Sequence, residues 1–528
     1  MIDLLSRLLL FMKDFTGRGA DSFYWFQDGQ IEKTDPANVV EYPGIVVCHD
    51  FWIIRDALFD ATGKLPEAIV DVDELRISIS GIPEERLARE KRDVTTHLVK
   101  YGANQEVCEA YQKMFNKGIP FDETVAAEAA KAISAMYLDL CAQAFADGEF
   151  DRFFSVEMPV YRLLQLSMSN GISIDTVGLS DKRAQADHDY FLLLKDYSAK
   201  HDMPLETPRR RAIEAKLLKE GFQLDEVSVE YLLEFVPHEH DFGCDTLELL
   251  ALDTARKVLG SLTLSTDSTR PVVDVFGSRT SRVQLRSPSL QNIPKRYRSI
   301  IIAHGGAQLG YVDFDQFEVG IMAALSGDEE LKKLYAAGDM YDLFATTHLG
   351  LVGNRKAAKQ LFLSYAYGMS RKALVDAAVT LGVDRQKAKE AFRLFQRYEN
   401  WKKEVCIEFQ STGRVATVLG NHYRRNGRGQ LSGKEQRSAV SQVVQGTASL
   451  IFKRALLAVA SIEDARAILP MHDALLFEHR LADTPARVVE AFEGIMTEIL
   501  GGRVAGKASI SDFFESEQIS SAPRENEV

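Results

Sequence analysis

Two aspartates stand where predicted strands end, and together they could hold metal ions. Asp313 lies in "YVDFDQFEVGIMAALSGD", where alternating residues predict a strand over 311–314 and helical spacing begins at Phe317. Asp473 lies in "MHDA", at the junction of two alternating segments that predict a hairpin. Two metal ions that bridge a phosphoryl group require such a pair of carboxylates on rigid elements. Spacing alone leaves open that Asp313 caps the helix and that Asp473 only completes a turn.

A row of four residues, each four apart, could bind a triphosphate. Arg355, Lys359, Leu363 and Tyr367 form one slowly drifting stripe on the helix that "NRKAAKQLFLSYAYGMS" predicts. At one end the two cations would neutralise phosphate oxygens, and at the other an aromatic ring can stack on a base. The alternative is an amphipathic surface helix whose cations face water.

Two further sets of polar residues could contact a nucleic-acid duplex. They are Arg437, Ser441 and Gln445, again four apart, and Gln291 and Asn292 in "SPSLQNIP", with Arg282 upstream. Polar donors in such rows can reach the minor-groove acceptors, which are present at every base pair and test pair geometry without reading sequence. Either set could instead be satisfied within the fold.

The composition is that of an ordinary globular protein with an uneven charge distribution. The 528 residues suffice for about three or four domains. The net charge of −13 argues against indiscriminate nucleic-acid binding. However, residues 275–312 carry six basic residues and no acidic one, and residues 414–437 carry six against Glu435 alone. Such tracts could line a cleft for a polyanion, or they could be two solvated faces.

Neither membrane segments nor paired cysteines are evident. No run approaches the roughly 20 apolar residues of a membrane span, so we expect no membrane partner. The early "LLSRLLLFM" is short and interrupted by Arg7, which argues against a signal peptide. The five cysteines lie far apart without a Cys-x-x-Cys pair, which predicts reduced thiols and a cytoplasmic location.

Five segments in order resemble the family A DNA polymerases, the bacterial DNA polymerase I type. They are "RVQLRSPSLQNIP", "DFDQFEVGIMAALSGD", "RKAAKQLFLSYAYG", "QGTA" and "MHDALLFE". The likeness runs from about residue 155 to the C-terminal region, and five ordered motifs are far more specific than any one of them. It implies an α+β fold, a right-hand polymerase with palm, fingers and thumb, preceded by a small α/β exonuclease-like domain.

The resemblance and the coarse pattern of helices and strands divide the chain into six parts. These are a degenerate exonuclease-like domain at 1–150, a mainly helical region including the thumb at 151–270, the first part of the palm at 271–330, the fingers at 331–405, the second part of the palm at 406–515, and a flexible tail at 516–528.

The resemblance also implies a role for each candidate residue. Asp313 and Asp473, with the carbonyl of Phe314, would hold two Mg²⁺ ions, for which Mn²⁺ could substitute. Lys359 would be the general acid for pyrophosphate, and Glu318 a steric gate against a ribose 2′-hydroxyl. The other nucleotide-binding residues would be Gln316, Arg355, Leu363 and Tyr367. The DNA-binding residues would be Arg282, Gln291, Asn292, Arg437, Ser441, Gln445 and His472, the last orienting the primer end.

Five positions depart from the family's usual residues. Leu363 replaces the family's usual Phe or Tyr, which weakens stacking on the incoming nucleotide. Ala474 replaces the usual Glu, which removes a third carboxylate. Asp315 stands for Ser and could partly offset the charge that Ala474 lacks. Gly320 stands for Arg, and Ser441 for Asn.

The N-terminal segment resembles a 3′–5′ exonuclease domain that lacks its metal ligands. No Asp-x-Glu lies on an early strand, and Ile54 stands where the second motif has Asp. Val125 and Ala129 stand where the third motif has Tyr and Asp. We therefore expect no proofreading, since that chemistry also requires several carboxylates.

The sequence thus predicts a monomeric, template-directed DNA polymerase that extends a primer with dNTPs. Lost proofreading, with Leu363 and Gly320, favours low fidelity or lesion tolerance, in replication or repair in a bacterial or phage-infected cell. A primer–template binding module with weak catalysis is the alternative, but binding alone would not require both carboxylates. A two-metal nuclease would leave the stripe at 355–367 unexplained.

Overall fold

The computed structural model describes residues 6–82, 84–85, 93–220 and 241–515. The predicted tail at 516–528 and residues 221–240 of the predicted thumb region lie outside the described residues.

A mixed five-stranded sheet forms the centre of the N-terminal region. Its strands are β1 (Ser6–Met12), β2 (Ser22–Gln27), β3 (Gln30–Thr34), β4 (Ile45–Cys48) and β5 (Ala68–Asp71), in the order β3-β2-β1-β4-β5. β1 is antiparallel to β2 and parallel to β4. The run "LLLFM" is apolar throughout because both faces of β1 are covered: Leu9 and Phe11 pack into one core, and Leu8 and Leu10 into another.

Helices cover this sheet and continue into the middle of the chain. They are Pro36–Val40, Phe51–Thr62, Val72–Ser80, Thr95–Leu98, Gln105–Lys117, Glu123–Ala146, Phe150–Arg152, Met158–Asn170, Thr176–His201, Arg210–Lys219 and Asp241–Ser261, with a 3₁₀ turn at Val99–Tyr101 and a π-helical turn at Phe153–Glu157. Two short ribbons follow the chain order: β6 (Ile172–Ser173) pairs with β7 (Ser268–Thr269), and β8 (Val272–Asp274) pairs with β9 (Gln284–Arg286).

A four-stranded antiparallel sheet forms the second centre. Its first strand in the chain is β10 (Gln308–Phe314). The next two strands, β11 (Arg414–Thr417) and β12 (Gly420–Arg424), lie outside this sheet and form a separate hairpin. The remaining strands are β13 (Arg466–Met471), β14 (Ala474–His479) and β15 (Ala508–Ile510), in the order β13-β14-β10-β15. Gly310 of β10 faces Phe477 of β14, and a Cβ at Gly310 would lie 2.4 Å from the phenyl ring. Glycine here lets the two strands pair over a buried aromatic side chain.

Helices surround this second sheet and form the region between its strands. They are Phe317–Ser326, Glu329–Ala337, Met340–Leu343, Arg355–Ala366, Arg371–Thr380, Arg385–Ala391, Gln396–Thr412, Gly433–Ala460 and Thr484–Ile499, with 3₁₀ turns at Leu290–Asn292 and Lys295–Ile300 and a π-helical turn at Phe344–Leu349.

The helix Gly433–Ala460 is the long central helix of the C-terminal half. Within the described ranges it is the one helix whose length and apolar composition would suffice to cross a membrane. Its most apolar window is 67% buried inside the protein, as expected of a core helix. A capping box at Ser432 and Glu435 fixes its start.

Four buried charges connect the N-terminal region to the central helix. Arg152 donates to Glu149 (2.7 Å) and Glu157 (2.6 Å), and Lys453 donates to Glu157 (2.6 Å). Arg152 also donates to the Ser78 carbonyl at 2.9 Å. Because charges this deeply buried require partners, the network fixes these elements relative to one another.

The same network holds the β11–β12 hairpin. Glu149 accepts hydrogen bonds from the backbone N–H groups of Asn421 and His422, each at 2.9 Å, and from the His422 ring. The backbone N–H of Arg424 donates to the Gly81 carbonyl at 2.8 Å. The hairpin is therefore attached directly to the N-terminal region.

Candidate active site

The second sheet brings the two predicted metal-binding aspartates to one edge. In the β10–β14 pairing Asp313 lies opposite Ala474, the residue that follows Asp473. Asp473 lies with His472 in the two-residue turn between β13 and β14, where His472 has a φ of 59°. The expected meeting of the two strands in one sheet thus occurs, and β10 ends where the β13–β14 turn begins.

The electrostatics of this edge favour a cation. Burial and the charges of Asp473 and Asp315 raise the pKa of Asp313 to about 6, while the Phe314 N–H and Lys359 act in the opposite direction. Carboxylate oxygens in such an arrangement suit Mg²⁺ or Mn²⁺. In the described ranges no three His, Cys, Asp or Glu side chains are grouped to hold a metal ion. The protein thus offers two carboxylates, and other oxygens must complete a coordination sphere.

Asp315 lies beside this edge but is held by another strand. Its carboxylate accepts a hydrogen bond from Ser509 Oγ at 2.9 Å, and Ser509 of β15 pairs with Asp313. Asp315 contributes negative charge to the site, as its effect on the pKa of Asp313 shows. Whether that charge offsets the absent glutamate at Ala474 stays a prediction.

Glu318 is the centre of a second charged cluster. It accepts a hydrogen bond from Arg282 at 2.6 Å and another from the hydroxyl of Tyr367. Arg282 also lies 3.5 Å from Asp473. Burial and the Glu318 charge raise the pKa of the Tyr367 phenol, which therefore stays a hydrogen-bond donor. The predicted steric gate is thereby connected to the turn that carries the predicted metal ligand Asp473.

The predicted triphosphate stripe lies on the helix Arg355–Ala366. Asn354 caps it by accepting from the Ala357 N–H. Arg355 and Lys359 are exposed and Leu363 is half-buried. The helix ends at Ala366, and Tyr367 is its C-cap, whose backbone N–H still donates to the Leu363 carbonyl at 3.0 Å, so Tyr367 stays at the end of the predicted stripe. The Tyr367 hydroxyl donates a hydrogen bond to Glu318.

Most of the predicted DNA-binding residues line one open cavity of about 870 Å³. Its walls include Arg282, Tyr367, Arg437, Ser441, Gln445 and His472. Ser441 Oγ donates to Gln445 Oε1 at 3.0 Å, which orients both side chains. Sequence motifs missed three other basic wall residues, Arg279, Arg424 and Lys434, although the two basic tracts contain them. We refer to this cavity as the duplex cleft.

Two side chains predicted to bind a ligand make hydrogen bonds within the protein. Gln291 is buried. Its Oε1 accepts a hydrogen bond from the Leu285 N–H (2.9 Å), and its Nε2 donates to the Val283 carbonyl (3.3 Å) and the Pro470 carbonyl (2.6 Å). Both N–H donors of the buried side chain are thus used within the protein, and the expected contact of Gln291 with DNA stays a prediction.

Gln316 is engaged in a similar way, while Asn292 is exposed. The Gln316 side chain donates to the Gly338 carbonyl (2.9 Å) and accepts from the Met340 N–H (2.7 Å). The expected contact of Gln316 with a nucleotide stays a prediction. Asn292 is accessible to a ligand, and its DNA contact stays a prediction.

Helices of the N-terminal region carry apolar residues at the positions that the resemblance aligned with exonuclease motif residues. Ile54 and Ala129 are fully buried in the core. Val125 lies in the first turn of the helix Glu123–Ala146. None of these side chains can coordinate a metal ion.

Comparison with known proteins places these features in context. The profile of DNA polymerase family A matches residues 244–508. DNA polymerase I of Pseudomonas aeruginosa is 31% identical over 248 residues, covering 41% of this chain and 26% of that protein. DNA polymerase theta of Caenorhabditis elegans is 31% identical over 216 residues, covering 38% of this chain and 13% of that protein. The chain thus spans at most about a quarter of either relative.

One solved structure is similar over nearly the whole chain. It is described as the POL domain of Pol1 from M. smegmatis in complex with DNA primer-template and dNTP. The TM-score is 0.72 with 18% identity, covering 93% of this chain and 92% of that chain. At this identity the likeness shows the fold, and it confirms the predicted α+β architecture.

Proposed function

The chain belongs to DNA polymerase family A, whose profile matches just over half of it, and we propose that it is a template-directed DNA polymerase that extends a DNA primer with dNTPs. One observation carries this proposal. The paired aspartates, the helix Arg355–Ala366 and the duplex cleft converge, because Tyr367 at the end of that helix and Arg282 in the cleft both donate to Glu318, and Arg282 lies 3.5 Å from Asp473.

The reaction proposed is attack of the primer 3′-oxygen on the α-phosphorus of the dNTP. The new bond joins O3′ to the α-phosphorus as the hydroxyl proton passes to solvent, and the bond from that phosphorus to the bridging oxygen breaks to release pyrophosphate. Two divalent ions, Mg²⁺ or in its place Mn²⁺, would activate the 3′-hydroxyl and stabilise the developing phosphate charge. Asp313, Asp473 and the Phe314 carbonyl are the groups available to hold them.

The remaining roles fall to groups around this edge. Arg355 and Lys359 would bind the triphosphate, and Lys359 would donate a proton to the departing pyrophosphate. Glu318, held between Arg282 and Tyr367, would exclude a ribose 2′-hydroxyl. Arg437, Ser441 and Gln445 would contact the minor groove, where their donors meet acceptors common to all base pairs.

We further propose that the protein acts as a monomer in the cytoplasm and does not proofread. The apolar core positions Ile54 and Ala129 support the last point. Low fidelity or lesion tolerance would follow from missing proofreading and from Leu363, which offers no aromatic face to the incoming base.

The test is extension of a labelled primer–template with Mg²⁺ and four dNTPs. Wild type should extend the primer, and Asp473→Asn should lose extension while retaining primer–template binding. Asp181→Asn, an exposed carboxylate on the helix Thr176–His201, is the matched control and should extend normally. Binding without extension by wild type would overturn the proposal in favour of a primer–template binding module. Primer shortening without nucleotides would contradict the absence of proofreading.

A further inference from the structure

We infer that Asp339 is a positioning residue for the incoming nucleotide, which holds Arg355 so that its terminal amino groups meet the triphosphate. The inference rests on the proposed function and adds to it a residue that no motif of the sequence pointed to. Asp339 lies between the helices Glu329–Ala337 and Met340–Leu343, outside the stripe that carries Arg355.

The contact between Asp339 and Arg355 leaves the two terminal nitrogens of the guanidinium accessible. Arg355 Nε donates to Asp339 Oδ2 at 2.6 Å. Within the part of the chain that the structure describes, neither terminal nitrogen of Arg355 donates to a protein acceptor. A guanidinium has five N–H donors in a planar fork, so four remain for phosphate oxygens. The Arg355 side chain is 49% exposed, so these donors face an accessible space.

Asp339 is itself fixed on both sides. Its Oδ1 accepts hydrogen bonds from the N–H groups of Tyr341 and Asp342, each at 3.0 Å, as the N-cap of Met340–Leu343. One oxygen thus anchors the carboxylate to its own helix and the other orients Arg355. Partial burial would raise the pKa of Asp339, but the hydrogen bonds from Asp342 and Arg355 outweigh it and lower that pKa. The group therefore stays ionised.

Tyr341 supports the same pair of cations from beneath. The guanidinium carbon of Arg355 lies 5.4 Å from the Tyr341 ring centroid, and Lys359 Nζ lies 5.8 Å from it. Tyr341 is buried, so its ring is a rigid surface. Both distances are within the range of cation–π attraction. The segment 339–341 thus contacts both predicted triphosphate ligands.

The segment is also tied to the strand that carries Asp313. Gln316 lies just beyond β10 and hydrogen-bonds to the backbone on both sides of Asp339. It donates to the Gly338 carbonyl and accepts from the Met340 N–H. Lys507 Nζ donates to the Tyr335 carbonyl and lies 3.4 Å from the Gly338 carbonyl. Through these bonds the position of Arg355 is set relative to the metal-binding edge. Such control of geometry matters because misplacement of about 1 Å can cost about 100-fold in rate.

Asp339→Asn separates this role from two simpler ones. Asparagine is a good N-cap, so the helix Met340–Leu343 keeps its start while the charged partner of Arg355 is lost. A positioning role predicts that KM for dNTP rises about 5- to 20-fold, with kcat changed less. If Asp339 only repelled the triphosphate, KM would fall, and if it were only a cap, KM would not change. Either of these results would overturn the inference.

A double-mutant cycle with Arg355→Lys provides the second measurement. Lysine keeps the charge but lacks the Nε donor, so Asp339→Asn should have little further effect on KM in that background. Additive effects would overturn the inference. Asp342→Asn removes an exposed carboxylate of the same short helix and should leave KM unchanged. If wild type incorporates no nucleotide, the proposed function fails and this inference with it; if it does, an unchanged KM in Asp339→Asn refutes this inference alone.

Discussion

The guanidinium of Arg282 lies 3.5 Å from the carboxylate of Asp473. Burial opposes the charge on Arg282, but Asp473 and Glu318 raise its pKa. The arginine therefore supplies positive charge at the turn on which we expect a divalent ion to bind. A bound ion and Arg282 must share the same carboxylate.

We expect Arg282→Ala to increase the stabilisation that Mg²⁺ confers. Without the arginine, less positive charge offsets the repulsion between Asp313 and Asp473 until the ion binds. Thermal unfolding with MgCl₂, compared with KCl at equal ionic strength, measures the effect. Arg296→Ala, which removes an arginine paired with Glu248, is the control and should resemble wild type. An Mg²⁺-induced shift no larger than that of wild type would contradict the argument.

The raised pKa of Asp313 predicts a pH-dependent gain from Asp313→Asn. The native carboxyl titrates at about 6 instead of its usual 3.8, so its ionisation opposes folding as pH rises through this window. In EDTA at pH 8 the variant should be more stable by about 1–3 kcal/mol. The gain should shrink by pH 5, where the wild-type group is largely neutral. Thermal unfolding at both pH values tests this, and a gain that grew toward pH 5 would refute it.

Glu318→Ala should relax the discrimination against ribonucleotides. Removal of the side chain opens space for a 2′-hydroxyl beside Tyr367, and a pocket without a blocking group rejects an added hydroxyl weakly. The ratio of kcat/KM for dNTP to that for rNTP should fall about tenfold or more. Single-nucleotide incorporation measures it, with Glu330→Ala on the next helix as control. An unchanged ratio would mean that Glu318 is not the gate.

Gly320→Ala should destabilise the protein although it adds one methyl group. The new Cβ would lie 2.5 Å from Met496 Cε and 2.8 Å from Tyr335 Cζ, so both side chains must move. The expected loss is about 1–3 kcal/mol in the free energy of unfolding. Gly494→Ala is the matched control: it lies exposed on a helix with no atom within 4 Å of the new Cβ and should be neutral or stabilising. Similar denaturant midpoints for the two variants would contradict this reasoning.

Lys453→Met should be costly, whereas Arg454→Met should not. Both residues form ion pairs, but the pair of Lys453 with Glu157 is fully buried and that of Arg454 with Glu498 is partly exposed. Loss of the buried partner should cost about 3 kcal/mol because it leaves a buried carboxylate undercompensated. The exposed pair should cost about 1 kcal/mol at most. The apparent melting temperatures of the two variants test this difference, and equal losses in both would contradict it.

The parts of the site that depend on local patterns were predictable from the sequence. Alternation followed by helical spacing predicted a strand that ends at Phe314, as β10 does, and alternation around "MHDA" predicted the β13–β14 hairpin. Spacing of four located Ser441 and Gln445 on one helix face. These features follow from the 2- and 3.6-residue periods of strands and helices, which are visible in any short window.

Features that depend on distant contacts were not predictable. Gln291 has the residue type of a base contact, and only the fold reveals that it bonds the Pro470 carbonyl. Asp339 precedes a four-residue helix with no periodic signal, and its bond to Arg355 depends on how two helices approach each other. Lys453 and Glu157 each resemble solvent-exposed charges in the sequence, yet both are buried.

The attachment of the β11–β12 hairpin sets the smallest piece of this chain that we expect to bind a duplex as proposed. Arg424 lines the duplex cleft, while its backbone bonds Gly81 and its side chain bonds Asp147. One side of the duplex cleft is therefore held by contacts with the N-terminal region. In that region the positions aligned with exonuclease ligands are apolar. A fragment limited to residues 244–508, which match the family profile, would lack Gly81 and Asp147. The hairpin that carries Arg424 would then lose these two contacts.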